Sequence, residues 1–381
     1  MMELSSLFGT TMLVERFLGV TVYTATLLFF CIRIKKSGSP QDIKKLLRAY
    51  LIVLCIMSFF YIPGDNADLY RWRIIANSWV GTPIHVFIQN RILSADTPLA
   101  YLLMYLCQTT GINGLLPMVC ALIFFGNVFH CINALVQNYS VDSESVAVGL
   151  LFFMAPGLFL ETISGVRCFV SFSIICRCFC DEILIGKSIW KNIPLYVCAC
   201  LFHTAGLALI AARLFVFLFE KNRNKWMKVI NVLAIAFMSV IAFRYGYNYV
   251  DATLTKAASY TSQTTYQYIW EYIIGGIGLL VIIYNSVYGF RNDQWQGVTK
   301  NLSRLLLVLA IVELVFITTY SIFHRYIAAS TIICTPLIIL LCSNSNSNLL
   351  VKKRNIIIVS LIMLLLACTR GNLCGYKFFL L

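Results

Sequence analysis

The sequence predicts an all-α, polytopic integral membrane protein, and three observations carry that prediction. Of the 381 residues, 60% are hydrophobic and only 12% are charged, where soluble domains run at roughly 45–50% apolar and about 25% charged. The mean hydropathy is +0.81. Apolar runs near the length that crosses a bilayer recur along the whole chain. Residues 1–381 read as one transmembrane domain, with no soluble domain, low-complexity tract or internal repeat.

The elements follow in chain order. The first apolar run, Leu13–Ile32, comes after a polar head carrying Glu3 and Glu15. A secretory leader would be basic there and would end in small residues, so this run reads as a retained span. Further spans are expected at Leu46–Ile62, Leu115–Leu135, Val146–Leu160, Val166–Ile185, Val229–Phe243, Ile269–Phe290, Leu305–Phe323, Ile327–Cys342 and Ile356–Cys368, about ten in all. Pro98–Thr110 is apolar but short, which predicts an interfacial or re-entrant helix. Ile193–Phe219 lies between two basic loops and is too short for two spans of about 20 residues each. A re-entrant hairpin turning near His203 satisfies both constraints, and one long tilted span with an inverted loop is the alternative. Asn344–Asn348 is a short polar turn.

Charge gives the orientation. The formal net charge is +14, and the basic residues cluster at span ends. This is the pattern of cytoplasmic loops rather than of a nucleic-acid surface. Arg33, Lys35, Lys36, Lys44, Lys45 and Arg48 occupy the first such loop. Lys187 and Lys191, then Lys221 and Lys228, then Arg291 and Lys300, and finally Lys352 to Arg354 occupy the later ones. Both termini then face outward. The loop Gln137–Ser145 belongs to the same inner side although it carries Asp142 and Glu144, because acidic residues weigh little in this rule. Most of the fifteen cysteines lie in apolar runs. Cys176, Cys178 and Cys180 are spaced by two, which sends them to different sides of a helix, so they read as small buried hydrophobes rather than a metal cluster.

This topology gathers polar groups on the outer side. The loop 63–97 contributes Asp65, Asp68, Tyr70, Arg71, Trp72, Arg73, His85, Arg91 and Asp96, and it is the expected functional outer loop. Distant segments add Arg167, His203, His324, Arg325 and Tyr326. Charge at membrane depth is costly and marks a substrate path or a buried pair. Arginine is also the side chain suited to bidentate phosphate contact. The pattern points to an outer-facing site for a phosphate-bearing, lipid-linked substrate. A structural role stands beside each functional one: Arg71 and Arg73 as partners of Asp65 and Asp68, Arg167 as an interfacial anchor, His324–Tyr326 as a helix start and His203 as a core histidine. His130, in mid-span, reads as structural. Tyr70, Trp72 and Trp79 offer faces for sugars, with an interfacial belt the alternative for Trp79.

Several stretches then resemble the EpsG/Wzy group of bacterial polysaccharide polymerases. They are ADLYRW (67–72), TPLAYLLMYLCQTTGIN from Thr97, GVRCFVSFS (165–173), LFHTAGLALI from Leu201 and HRYIAAS (324–330). They span most of the chain. One departure is that Arg167 is followed by Cys168 and Phe169, where the family pattern has glutamine and a small residue. The resemblance implies a glycosyltransferase-C-like helical fold and an inverting, metal-independent glycosyltransferase without cofactor. It implies donor and acceptor oligosaccharides on undecaprenyl pyrophosphate, joined at the outer, periplasmic face of the bacterial inner membrane. Membrane lipid and a chain-length regulator are the further partners expected, and nucleic acid is not. Arg167 and Arg325, then Arg71, are the expected stabilisers of departing pyrophosphate. His203 is the expected base, with Asp68 positioning the acceptor hydroxyl. Tyr70, Trp72, Arg73, Asp65, Arg91, His324 and Tyr326 are expected to bind substrate. A lipid-linked glycan flippase or a polysaccharide ligase would want similar basic groups. The flippase is disfavoured by the absence of two related halves.

Overall fold

The computed structural model describes residues 2–64, 67–218, 269–291, 297–343 and 348–370, with Trp295 and isolated positions between 226 and 240. Asp65, the span expected at Val229–Phe243 (apart from those isolated positions) and the basic loop Lys221–Lys228 (apart from Trp226) lie outside the described residues.

Among the described residues the regular elements are all helices. The long ones are α1 (Met2–Lys35), α2 (Pro40–Phe59), α6 (Leu115–Asn138) and α9 (Cys168–Leu184), and, after the gap, α12 (Ile269–Arg291), α13 (Val298–Val315), α14 (Tyr320–Cys342) and α15 (Asn348–Thr369). Shorter helices lie between them. These are α3 (Asp68–Asn77), α4 (Ile84–Phe87) with the π-helical turn Ile88–Ile92, α5 (Pro98–Gln108), α7 (Ser143–Met154), α8 (Leu158–Ser164), α10 (Ile189–Phe202) and α11 (Gly206–Phe217). Helix α14 is buried along nearly its whole length. It packs against α7, α9, α12 and α13 and forms the centre of the bundle.

Four described helices are long and apolar enough to cross a membrane: Phe17–Lys35, Leu115–Asn138, Ile269–Arg291 and Ile322–Cys342. The pair α7 and α8, bent by 61°, makes a fifth if it is one span. This is fewer than the ten apolar runs, and the reason is chemical. Helix α2 begins with Asp42, Lys44, Lys45 and Arg48, α13 includes Lys300, Arg304 and Glu313, and α15 includes Lys352, Lys353 and Arg354. The apolar core of each run starts beyond most of those charges, and the helix does not. Helix α9 is only 17 residues long. The short apolar helix foreseen at Pro98–Thr110 is α5. The segment foreseen to turn near His203 breaks there, between α10 and α11.

Local chemistry sets the ends. Ser39 caps α2, its Oγ accepting from Asp42 N–H at 3.1 Å, with Pro40 in the first turn. Asp142 caps α7 through Ser145 N–H at 2.8 Å. Partial burial pushes the Asp142 carboxyl up, but hydrogen bonds from Ser145 and Lys353 outweigh it and hold it below the ordinary carboxylate range. That contribution is present above the ordinary range and is lost as pH falls through the lowered value. Gly157, with φ of 74°, supplies the left-handed residue at the α7–α8 bend.

Helices α2 and α6 pack closely. Gly114, the N-cap of α6, sits so near Phe59 at the end of α2 that a Cβ would run into the Phe59 carbonyl. Gly114→Ala is therefore expected to cost about 1–3 kcal/mol, read as a melting temperature lowered by several degrees in detergent.

The two ends of the bundle differ in charge. At one end Lys35 pairs with Glu144 at 2.7 Å and Lys353 with Asp142 at 3.1 Å. Asp181 there receives His130 at 2.7 Å and Lys187 at 3.1 Å. These contacts put the loop carrying Asp142 and Glu144 on the same end as the basic loops around Lys35, Lys187 and Lys353. His130 is tied into this structural network.

Candidate functional site

The opposite end is built from helix termini. Asp68 opens α3, Arg167 is the N-cap of α9, His203 is the C-cap of α10, and His324 with Arg325 lies near the start of α14. A hydrogen bond from Leu69 N–H to Ser164 Oγ at 3.1 Å ties α3 to the end of α8, just before Arg167. The Arg167 guanidinium lies over the Trp72 ring, 4.4 Å from its centroid. That cation–π contact holds the charge at the mouth without neutralising it.

Electrostatics draws the group together. Arg325 and Arg167 both act on His203. Arg325, Arg167 and Asp68 all act on Cys168. Arg167 and Arg325 therefore lie near both His203 and Cys168, and Asp68 lies near Cys168. Tyr326 closes the site from beneath: its hydroxyl donates to Ala205 O at 3.3 Å and its ring lies 5.4 Å from Phe172. Ser171 Oγ donates to His203 O at 3.4 Å, fixing the α10–α11 break against α9.

The orientation of His203 bears on its chemistry. Ala205 N–H donates to His203 Nδ1 at 3.1 Å. A neutral ring accepting there carries its proton on Nε2, so it presents a donor and not a base. Asp68 is arranged differently. Arg71 donates to Oδ1 at 2.6 Å, while Oδ2 has no hydrogen bond among the described residues. The pair is more than a third exposed on both sides and adds little stability, but it leaves one carboxylate oxygen open to a hydroxyl.

Other expected members sit elsewhere. Arg73 donates to Asn113 O at 2.7 Å, clamping α3 to the turn before α6. Arg71 thus takes the structural pairing with Asp68, whereas Arg73 bonds a backbone carbonyl. Tyr70 is 37% exposed. Arg91 is exposed on the π-helical turn, and no contact among the described residues joins it to Asp68, Arg167 or His203. Trp79 is only 5% exposed and packs on Phe87 and Tyr101. It is therefore a core residue of the α3–α5 unit, neither a belt nor a sugar platform.

One residue escaped the sequence reading. Glu161, on α8, pairs with His324 across the bundle and feels both Arg325 and Glu271. The signal was a lone carboxylate inside the apolar LFLETI run, at a depth where charge is costly. His324 is thus held by Glu161 and does not face substrate freely. Among the described residues, no three His, Cys, Asp or Glu side chains converge as a metal site would require. The positive charge of the site is carried by guanidinium groups.

The apolar helices define a multi-pass helical membrane protein. Residues 97–379 match the sequence model of the EpsG family, well over half of the chain, and the chain belongs to that family. The family is associated with polysaccharide polymerase activity. The match contains Arg167, His203, His324, Arg325 and Tyr326, while Asp68 to Arg73 precede it. Comparison with curated proteins and with solved structures returned no match.

Proposed function

We propose that the chain is a polysaccharide polymerase that joins oligosaccharide repeat units carried on undecaprenyl pyrophosphate, at the outer face of the bacterial inner membrane. What supports this reading is that Arg167, seated over the Trp72 ring, and Arg325 lie near His203 and Cys168, with Asp68 near Cys168. Two guanidinium groups in a half-buried setting suit the charge that develops on a departing pyrophosphate. The reading needs no metal to carry that charge.

In this mechanism the acceptor hydroxyl attacks the anomeric carbon of the donor sugar. The bond from that carbon to the pyrophosphate oxygen breaks as the new glycosidic bond forms on the opposite face, which inverts the configuration. Asp68 Oδ2 receives the hydroxyl proton, and Arg71 holds the carboxylate through Oδ1. His203 donates from Nε2 to the leaving group or to a sugar oxygen. Arg167 and Arg325 bind the pyrophosphate. Glu161 and His324 act through Arg325 as positioning residues. Trp72, edge-to-face with Tyr101 and covered by Arg167, forms a wall beside the donor. An outward opening of the site matches the basic loops at the opposite end.

The test is complementation of a strain lacking the protein. Arg167→Ala, Arg325→Ala and His203→Ala, each at normal protein level, are expected to lose long-chain polysaccharide. Long chains retained in all three would overturn the site. Purified protein that lengthens lipid-linked chains without a gradient would separate polymerase from flippase.

A further inference from the structure

The end of the bundle opposite the arginine site carries a second cationic feature, which the proposed chemistry does not use. Helices α2 and α6 part there around a cavity of about 430 Å³. Lys44, Arg48, Gln137 and Asn138 line it near the helix ends, and Leu51 with Gly126 lines it deeper in the bundle. An adjoining cavity of about 450 Å³ shares Lys44, Arg48 and Gln137 and adds Lys45. None of the ion pairs among the described residues involves Lys44, Lys45 or Arg48. These cations face the cavity without a carboxylate.

The shape narrows the ligand. From Asn138 to Gly126 the cleft follows α6 for twelve residues, about 18 Å at the helical rise. That is a little over half of a hydrocarbon core of roughly 30 Å, the depth of one leaflet. Gly126 keeps the deep part open, since a Cβ there would meet nothing nearer than Leu51 Cδ2 at 4.0 Å. A cleft with cations at the membrane surface and an apolar floor one leaflet deep has the form of a lipid. A free phosphate would gain nothing from that floor.

The geometry points to a bound anionic phospholipid in this cleft, its phosphodiester between Lys44 and Arg48 and an acyl chain over Leu51 and Gly126. Basic pockets between helices on the cytoplasmic side are known to hold such headgroups. The site is separate from the polymerase reading and survives or fails independently of it.

The experiment uses the purified full chain in neutral detergent, titrated with phosphatidylglycerol, phosphatidylcholine or inorganic pyrophosphate, with bound ligand read by native mass spectrometry. One phosphatidylglycerol per chain is expected to bind in preference to phosphatidylcholine. Lys44→Gln with Arg48→Gln is expected to weaken it roughly 30-fold, from two surface charges. Gly126→Leu is expected to abolish it with every charge intact. Equal binding of phosphatidylcholine, or undiminished phosphatidylglycerol binding in the double-charge variant, would overturn the proposal. So would displacement by equimolar pyrophosphate, which would mark a free-phosphate site. Melting temperatures without lipid report folding. Lys44 and Arg48 lie at the surface end of α2, so the charge variant decides even if Gly126→Leu does not fold.

Discussion

Arg325→Ala lowers the initial rate of chain lengthening by about two to three orders of magnitude, measured with purified protein and lipid-linked repeat units. Arg325 is half-buried near the start of α14, the helix around which the bundle packs. Its charge reaches His203, Glu161 and Cys168 together. A guanidinium placed among these groups would stabilise the leaving group as it gains charge, so its loss would fall on the transition state. The expected signature is a fall in kcat larger than any rise in KM, as for an interaction made mainly in the transition state. Arg325→Lys restores only part of the rate, because a point charge does not reproduce the planar two-pronged contact. A merely anchoring arginine would leave kcat intact and lower the amount of folded protein. A full rate at normal protein level would remove Arg325 from the site.

Much of this arrangement was legible in the sequence, and the parts that were not have identifiable causes. Helices were legible because a membrane protein writes them as apolar runs. The break at His203 was legible because Ile193–Phe219 is too short to cross twice and lies between basic loops. The expectation that Arg167, His203 and Arg325 share one side came from sorting polar groups by loop charge, and the two arginines do lie near His203. The pairing of Glu161 with His324 was not legible: a single carboxylate at the end of an apolar run names no partner, and α8 and α14 are far apart in sequence. The direction of Arg73 was equally hidden. Its acceptor is a backbone carbonyl at Asn113, and carbonyls are present everywhere. The hydrogen bond from Ala205 N–H to His203 Nδ1 was hidden as well, because it is fixed by the local turn and not by residue type.

Glu182→Ala has the largest expected effect on stability. Glu182 lies in α9 and is 4% exposed, while Arg213 in α11 is 2% exposed. Arg213 Nε donates to Glu182 Oε2 at 3.1 Å. Oε1 accepts from Tyr196 Oη at 2.6 Å and from Asn192 Nδ2 at 3.2 Å, both on α10. One carboxylate therefore joins three helices whose apolar faces alone would fix no register. Its loss removes the counter-charge at a buried guanidinium and an acceptor from two buried donors. Breaking such a pair costs about 3–5 kcal/mol, whereas replacing both partners by apolar groups is often neutral. Glu182→Ala is expected to lower the melting temperature in detergent by about 10 °C and to reduce the amount of protein in the membrane. Glu182→Leu combined with Arg213→Met is expected to recover most of that loss. The two outcomes separate a charge effect from a packing effect. If the double variant is as unstable as Glu182→Ala, the helices are held by the shape of these side chains and not by the pairing of their charges. The α10–α11 break that carries His203 lies between Tyr196 and Arg213 on the chain. The same substitution therefore tests whether this network holds the site in place, by loss of chain lengthening in the protein that does fold.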